Sequence, residues 1–512
     1  MSLIKFFIHR RRSIFTAGTD AVRADTWRPA VELWPAAVWS LTAAAALSMT
    51  LTAVTPPVPA LPLGLVAGVL ATLRLRSALG VLKDRAALAG SALELISSRS
   101  FARRLLRARR DMARKGDTET FAPVWFGRGF DWGPEHAQKL YELSKIDVNR
   151  LLPARALCKL LTGTEPKDPR TVGLSAIDGL EGHKTDIWMS EKTLEGGTLI
   201  VGTTQAGKGV LLTSLVTQAI LRGEAVIVID PKMSSRLQNA VTAAAKLARR
   251  SPPLFFHPNH PEGLRINPLT HFERPSEIAS RITAVMSDSG PFTSFAWSAV
   301  NVVVDLLVHV GRTPSIATIE AVLTGDFEDL LLEAAELDCG EDYFDMLVSE
   351  AKVKGKKGRD GVLDVLERAK TEGRLSEATL KGAATYAHDP VHFSKITASL
   401  MPVLAMLTSG ALRQTLSPRD DDPLAMSLSE IIAQRKILYV CLNSLPDPTV
   451  AGAIGSMLLA DLASCAGERY NNTSISRNTV SLFVDECSNV AYKFSKNQVF
   501  PVVWAKLKDG IF

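Results

Sequence analysis

Residues 196–223 read GGTLIVGTTQAGKGVLLTSLVTQAILRG, and three local patterns follow one another within them. A short apolar, β-prone run ends at Val201. Gly202-Thr203-Thr204-Gln205-Ala206-Gly207-Lys208 follows with the spacing GxxxxGK, and apolar residues then recur at helical spacing to about Leu221. Strand, glycine-bounded loop and helix in that order are the setting in which such a loop cradles phosphate. Glycines let the backbone curl so that successive N–H groups point inward, and the helix N-terminus adds partial positive charge. Lys208 is expected to reach the β- and γ-phosphates. The expected nucleotide-binding residues are Gly202, Thr203, Thr204, Gln205, Ala206, Gly207, Lys208, Gly209 and Val210. Gly209 stands where Ser or Thr usually offers a hydroxyl to Mg²⁺. ATP with Mg²⁺ is the ligand pair this stretch calls for.

A phosphate loop needs an apolar strand ending in acid elsewhere in the chain, and Val480–Glu486 reads V-S-L-F-V-D-E. Asp485 is the expected holder of the Mg²⁺ water shell, and Glu486 the general base that polarises the attacking water. Either pattern alone is common. Together they make a nucleoside triphosphatase the leading expectation, with Lys208 and Glu486 as its catalytic pair.

Between them lie two more strand candidates, Ala225–Asp230 (AVIVID) and Lys436–Leu442 (KILYVCL), and a helix over Ala451–Ala466. Strands alternating with helices imply an α/β fold with a parallel sheet covered on both faces. Asp230-Pro231-Lys232 reads as a strand-end turn without a catalytic part. From 275 to 435 the pattern is helical only, with Phe295–Val310, Ile316–Ala335 and Tyr343–Ala384 as its main runs, which predicts an all-α insertion. Lys352, Lys354, Lys356, Lys357 and Arg359 within it read as a solvated loop.

The other end of the chain is apolar. Leu33–Val54 carries no charge over 22 residues, enough to cross about 30 Å of hydrocarbon as a helix. A second uncharged run, Pro57–Leu73, follows, with the turn expected near Thr55 and Pro56. Lys5, Arg10, Arg11, Arg12, Arg23 and Arg28 precede the pair, and Arg74, Arg76, Lys83 and Arg85 follow it. Cations flank both ends and are absent from the turn, so both ends are expected in the cytoplasm. Beyond lies FARRLLRARRDMARK, in which Arg103, Arg104, Arg107, Arg109, Arg110, Arg114 and Lys115 put seven cations into 13 residues. Such a stretch suits anionic headgroups or nucleic-acid phosphates, and a solvated helix that only sets topology is the plain alternative.

Composition bounds these readings. At 512 residues the chain has room for two or three domains, and 46% apolar content excludes a disordered protein. A net charge of +6 is compatible with phosphate or anionic lipid as a partner. Five scattered cysteines form no CxxC pair, which argues against a disulfide framework or a zinc site.

These parts, in this order, resemble the type IV coupling proteins, the TraD/TraG-like family, and within it the TraD type of integrative conjugative elements. Gly127-Arg128-Gly129-Phe130-Asp131-Trp132 with Pro134-Glu135-His136 adds to the likeness. So do His257-Pro258-Asn259-His260-Pro261, Ile266-Asn267-Pro268-Leu269 and Asp230-Pro231-Lys232; Gly at 209 is also tolerated in that family. The resemblance implies a RecA-like motor, a homo-hexamer in the bacterial inner membrane. It would move single-stranded DNA with its attached relaxase into a type IV secretion channel. A membrane scaffold recruiting protein substrates and an FtsK-like double-strand translocase are the alternatives.

The expected organisation is a cytoplasmic segment 1–32, a transmembrane hairpin 33–73 and a basic juxtamembrane and linker region 74–180. The P-loop domain occupies 181–274 and 436–512, interrupted by the insertion 275–435. Only 26 residues follow Glu486, and no strand is legible among them. The expectation is therefore a truncated sheet, with one edge of the 480–486 strand unpaired, and poor hydrolysis.

Overall fold

The described residues of the chain, in a computed structural model, are 27, 29–51, 57–91, 97–114, 124–168, 174–181, 184–194, 196–202, 207–286, 291–388, 398, 400–472, 478–487, 490 and 504–507. They fall into two compact units. The first draws on 1–96 and 127–187, the second on 97–126, 188–202 and 207–512. The stretch 74–180 thus contributes residues to both units.

In the first unit, α1 (Leu33–Leu51) and α2 (Pro57–Ala87) pack together as a hairpin. The expected turn at 55–56 lies outside the described residues. Small residues fill the seam: Ala36, Ala46, Ala67, Ala71 and Ala78 are buried, and a Cβ added to Gly64 would sit 3.3 Å from that of Ala46. Large apolar side chains point outward instead, among them Trp34, Leu41, Leu47, Leu65, Val66 and Val69. Water would penalise that pattern, whereas lipid favours close backbone approach inside and bulky chains outside. The expected second run ended at Leu73, but α2 continues to Ala87. Arg74, Arg76, Lys83 and Arg85 end the apolar stretch without breaking the helix, because charge alone does not terminate one. The remainder of the unit gathers Leu88, Leu143, Ala176 and Leu180 into a small core. β1 (Val124–Gly129) and β2 (Thr185–Met189), whose residues are divided between the two units, form a two-stranded sheet.

The second unit begins with α3 (Ser98–Arg114) and is built on a five-stranded sheet. Its elements are α4 (Lys208–Arg222), β3 (Ala225–Asp230), α5 (Ser235–Leu247), β4 (Leu254–Phe256), α6 (Pro275–Ala284), α7 (Pro291–His309), α8 (Leu428–Ala433), β5 (Ile437–Cys441), α9 (Pro448–Asn471), β6 (Val480–Val484) and β7 (Trp504–Leu507), with further helices between α7 and α8. The spatial order is β4-β5-β3-β6-β7, parallel except for β7.

Alternation along the strands covers both faces. Val226, Val228, Ile437, Tyr439, Cys441 and Phe483 pack with Leu212, Leu215, Val216 and Ile220 of α4 and with Leu237 and Val241 of α5. Ile227, Ile229, Leu438, Val440, Leu482 and Val484 face α9 and the helices beyond Pro275. This is the two-sided burial that makes parallel strands read as continuous apolar runs. Between 275 and 435 the described residues hold helices and no named strand.

Three helices are long and apolar enough to cross a membrane: α1, α2 and α9. Burial separates them. It reaches 11% and 17% along the apolar stretches of α1 and α2, and 61% in α9. α9 also carries Asp461, which is fully buried and takes hydrogen bonds from Arg281 at 3.1 Å and from the His271 backbone at 3.0 Å. A buried carboxylate satisfied by a guanidinium belongs in a protein core, so α9 is a core helix.

Two sheet expectations need correction. β6 has no open edge, because Val480–Phe483 pairs antiparallel with Trp504–Leu507. Four residues suffice for a covering strand, too few for a sequence pattern to reveal. Conversely, the run before the phosphate loop is not a strand: 199–202 joins no ladder, and Leu199 and Val201 are exposed. β3 is paired on both edges and so is β6, which leaves that run no edge on either strand.

Candidate nucleotide site

Lys208 is the first residue of α4, and Gly207 caps the helix at φ +94°. That left-handed backbone is strained for any residue with a Cβ, which accounts for glycine there. The Gly207 carbonyl accepts from the N–H of Val210 at 3.0 Å and of Leu211 at 3.2 Å, so the first turn is closed. The Lys208 ammonium folds back to donate to the Gly202 carbonyl at 2.5 Å, drawing together the two ends of the GxxxxGK stretch. Thr203, Thr204, Gln205 and Ala206 lie outside the described residues. Gly209 and Val210 are exposed, and a Cβ at Gly209 would meet nothing within 4 Å.

Topology sets where this helix end lies. α4 spans about 22 Å at 1.5 Å per residue, and β3 about 20 Å. Only Gly223 and Glu224 join them, so they run antiparallel, packed through the shared core. The N-terminus of α4 therefore sits at the end of the sheet where β3 and its parallel neighbours finish. Ligands of open α/β sheets collect at that end.

The acids lie at that same end. β3 and β6 are in register with Ile229 opposite Val484, which sets Asp230 and Asp485 side by side, and the Asp485 N–H donates to the Ile229 carbonyl at 3.0 Å. Burial, together with the charges of Asp230 and Glu486, pushes the Asp485 carboxyl above its ordinary value. Three acids crowded together are a place that wants a cation, and the group with the raised value is a functional-site candidate on that ground. Among the described residues no group of three His, Cys, Asp or Glu is placed to hold a metal by itself. A divalent ion would need Asp485 together with phosphate oxygens.

Glu486 has φ +44°, uncommon for a residue with a side chain. Its carboxylate accepts from the Lys232 ammonium at 2.7 Å. Lys232 is aimed by the turn expected to be idle. Asp230, fully buried, takes the N–H of Lys232 at 2.9 Å, the N–H of Ser234 at 2.6 Å and the Tyr439 hydroxyl. Burial and that bond to Asp230 push the Tyr439 phenol far up, so it stays a donor. The hydrogen bond and charge of Glu486 in turn raise the Lys232 ammonium. Leu442 N–H to the Asp230 carbonyl, 3.0 Å, and Ser444 N–H to the Pro231 carbonyl, 2.7 Å, fasten the end of β5 to the same turn. Lys232, read from the sequence as part of a plain strand-end turn, is brought to Glu486 by the fold. Its signal was a Lys two residues past a buried strand's terminal Asp, held there by Pro.

The arrangement offers an ammonium and a glycine-capped helix start for phosphate, a half-buried carboxylate for a cation, and a second carboxylate held by a lysine for water. Comparison with known protein families gives no match for this chain, and comparison with curated proteins gives none either.

Proposed function

We propose that the chain is a membrane-anchored, Mg²⁺-dependent ATPase of the conjugative coupling-protein type. On this reading it drives single-stranded DNA and its bound relaxase toward a type IV secretion channel as a RecA-like homo-hexamer of the inner membrane. The observation that carries the nucleotide part is the sharing of one sheet end by Gly207-Lys208 and by Asp485-Glu486. The inverted packing of the α1/α2 hairpin, small residues inside and large apolar ones outside, supports the membrane part. DNA, relaxase, channel and hexamer rest on the sequence resemblance.

In this reading Lys208 leaves the Gly202 carbonyl to bind phosphate oxygens, and α4 adds its N-terminal field. Mg²⁺ would supply charge neutralisation at the phosphates. Asp485 would hold the ion through its water shell. Glu486 accepts a proton from the attacking water as the bond between the γ-phosphorus and its bridging oxygen breaks and ADP leaves.

Phosphate release by the full chain in nanodiscs, with and without single-stranded DNA, tests this beside Lys208→Ala. DNA-stimulated release lost in the variant is the expected result. Equal release by both proteins would remove the phosphate-loop assignment. Release indifferent to DNA would turn the reading toward a scaffold for protein substrates, and stimulation by duplex alone toward a double-strand translocase.

A further inference from the structure

α3 is two-faced in a way its composition does not require. Phe101 and Leu105 are buried, with the Phe101 ring 5.5 Å from that of Trp125, and the helix packs against α5. Arg104 stands over the Trp125 ring, its guanidinium carbon 5.6 Å from the ring centre. Arg103, Arg107 and Arg110 follow at helical spacing on the opposite side and are exposed, with no acidic partner among the described residues. The same spacing reaches Arg114 in the sequence. At 3.6 residues per turn they form a single file along the outer face, roughly 5 Å apart.

We propose that this arginine file docks on anionic phospholipid headgroups. The proposal rests on the membrane reading of the hairpin. An amphipathic interfacial helix would bury its apolar face in lipid. Here that face is already used against Trp125 and α5, so the contact is one of charge. Guanidinium groups match phosphate oxygens in pairs, and α3 sets Arg103, Arg107 and Arg110 against a single acid, Asp111.

Chain length permits it. Beyond Leu73, α2 runs on to Ala87, about 21 Å if perpendicular to the bilayer. The seven steps from Ser91 to Ser98 can return up to about 25 Å. Nucleic-acid phosphates carry the same chemistry, but α3 follows the apolar hairpin closely enough in the chain to leave the headgroups within reach.

The test places an environment-sensitive dye on Leu106→Cys, an exposed position beside the row, in the full chain with Cys487→Ser. The chain is inserted into nanodiscs of phosphatidylcholine alone or mixed with phosphatidylglycerol. We expect a blue shift in the mixed discs only, reversed by about 0.5 M salt, which shortens screening to a few Å. The shift should vanish in R103Q/R107Q/R110Q, which leaves the Phe101 and Leu105 face intact. Identical emission in both lipids would overturn the proposal, as would a shift produced in phosphatidylcholine discs by an oligonucleotide alone. Failure to enter discs of either kind would defeat the hairpin reading and this proposal with it, and is told apart from the dye result by recovery in the disc fraction.

Discussion

The Lys232 ammonium stands 2.7 Å from the Glu486 carboxylate, joining the turn after β3 to the acid that follows β6. The pair is partly solvent-exposed, at 46% and 34%, so screening by water leaves it little direct worth to stability. Its consequence is positional. Glu486 holds a left-handed backbone angle, and Lys232 fixes where its carboxylate points.

Lys232→Ala is therefore expected to lower hydrolysis roughly 10- to 100-fold, the scale of a misplaced reacting group. Nucleotide affinity should be nearly unchanged. Steady-state rates beside fluorescent-nucleotide titration separate the two effects. Lys232→Arg, which keeps the cation, should recover part of the rate. Weakened binding with an unchanged turnover rate would show that Lys232 touches nucleotide instead.

Lys208→Ala should give the opposite profile. Among the described residues its ammonium makes one bond, to a loop carbonyl, so thermal stability should move by no more than about 0.5 kcal/mol. Losing a charge-assisted bond to phosphate costs about 1.5–3 kcal/mol, or roughly 10- to 150-fold in affinity. Titration with a fluorescent ATP analogue checks the affinity, and a melting curve checks the fold.

Gly209→Ser tests the departure from the usual loop. A side chain there enters open space, and replacing a helical glycine gains up to about 1 kcal/mol. The added hydroxyl stands where a Mg²⁺ ligand is usual. Melting temperature should rise, and the Mg²⁺ concentration for half-maximal hydrolysis should fall. A destabilised variant would mean that 209 is not in the first turn of α4.

Asp485 carries a pH dependence of definite sign. Its carboxyl is raised above 3.8 by burial and by Asp230 and Glu486. The native state thus holds that proton more tightly than the unfolded chain does. The ionised group destabilises the fold at neutral pH, and the penalty fades as pH falls through the raised value. Asp485→Asn should melt higher than the parent at pH 7 without nucleotide, with the gap closing toward acid, while hydrolysis is lost. In the parent, protons compete with the cation, so the Mg²⁺ requirement should climb at a higher pH than an ordinary aspartate would give. A variant that melts lower at pH 7 would contradict the crowding of acids.

Long apolar runs bounded by turn residues were readable. AVIVID became β3, and the 436–442 and 480–486 runs became β5 and β6, because strands buried on both faces leave an unbroken apolar signature. β4, with Leu254-Phe255-Phe256 as its whole length, and β7 were too short for any period to show. The run ending at Val201 misled because strand propensity is not a strand: only Thr198 of it makes a bridge, and β3 and β6 are each already paired on both edges. Lys208, Asp485 and Glu486 were named by pattern. Lys232 needed register, since its partner lies 254 residues away.

The hairpin makes a prediction independent of nucleotide. Ala46 and Gly64 meet in the seam of α1 and α2, where an added Cβ would lie 3.3 Å from that of Ala46. Inside a bilayer no hydrophobic force presses two helices together, so close approach through small residues supplies the attraction. Gly64→Leu should push the helices apart and reduce the yield of folded chain extracted from membranes. Gly68→Leu, where a Cβ meets nothing within 4 Å, should be tolerated. Cation placement sets orientation separately, since Arg28 and the residues before it flank one end and Arg74, Arg76, Lys83 and Arg85 the other. Reporter fusions at Thr16 and Lys115 should both report the cytoplasm, in the parent and in Gly64→Leu alike. A periplasmic signal from either fusion would exclude the hairpin. Equal yields from the two leucine variants would mean that the helices are not held by this seam.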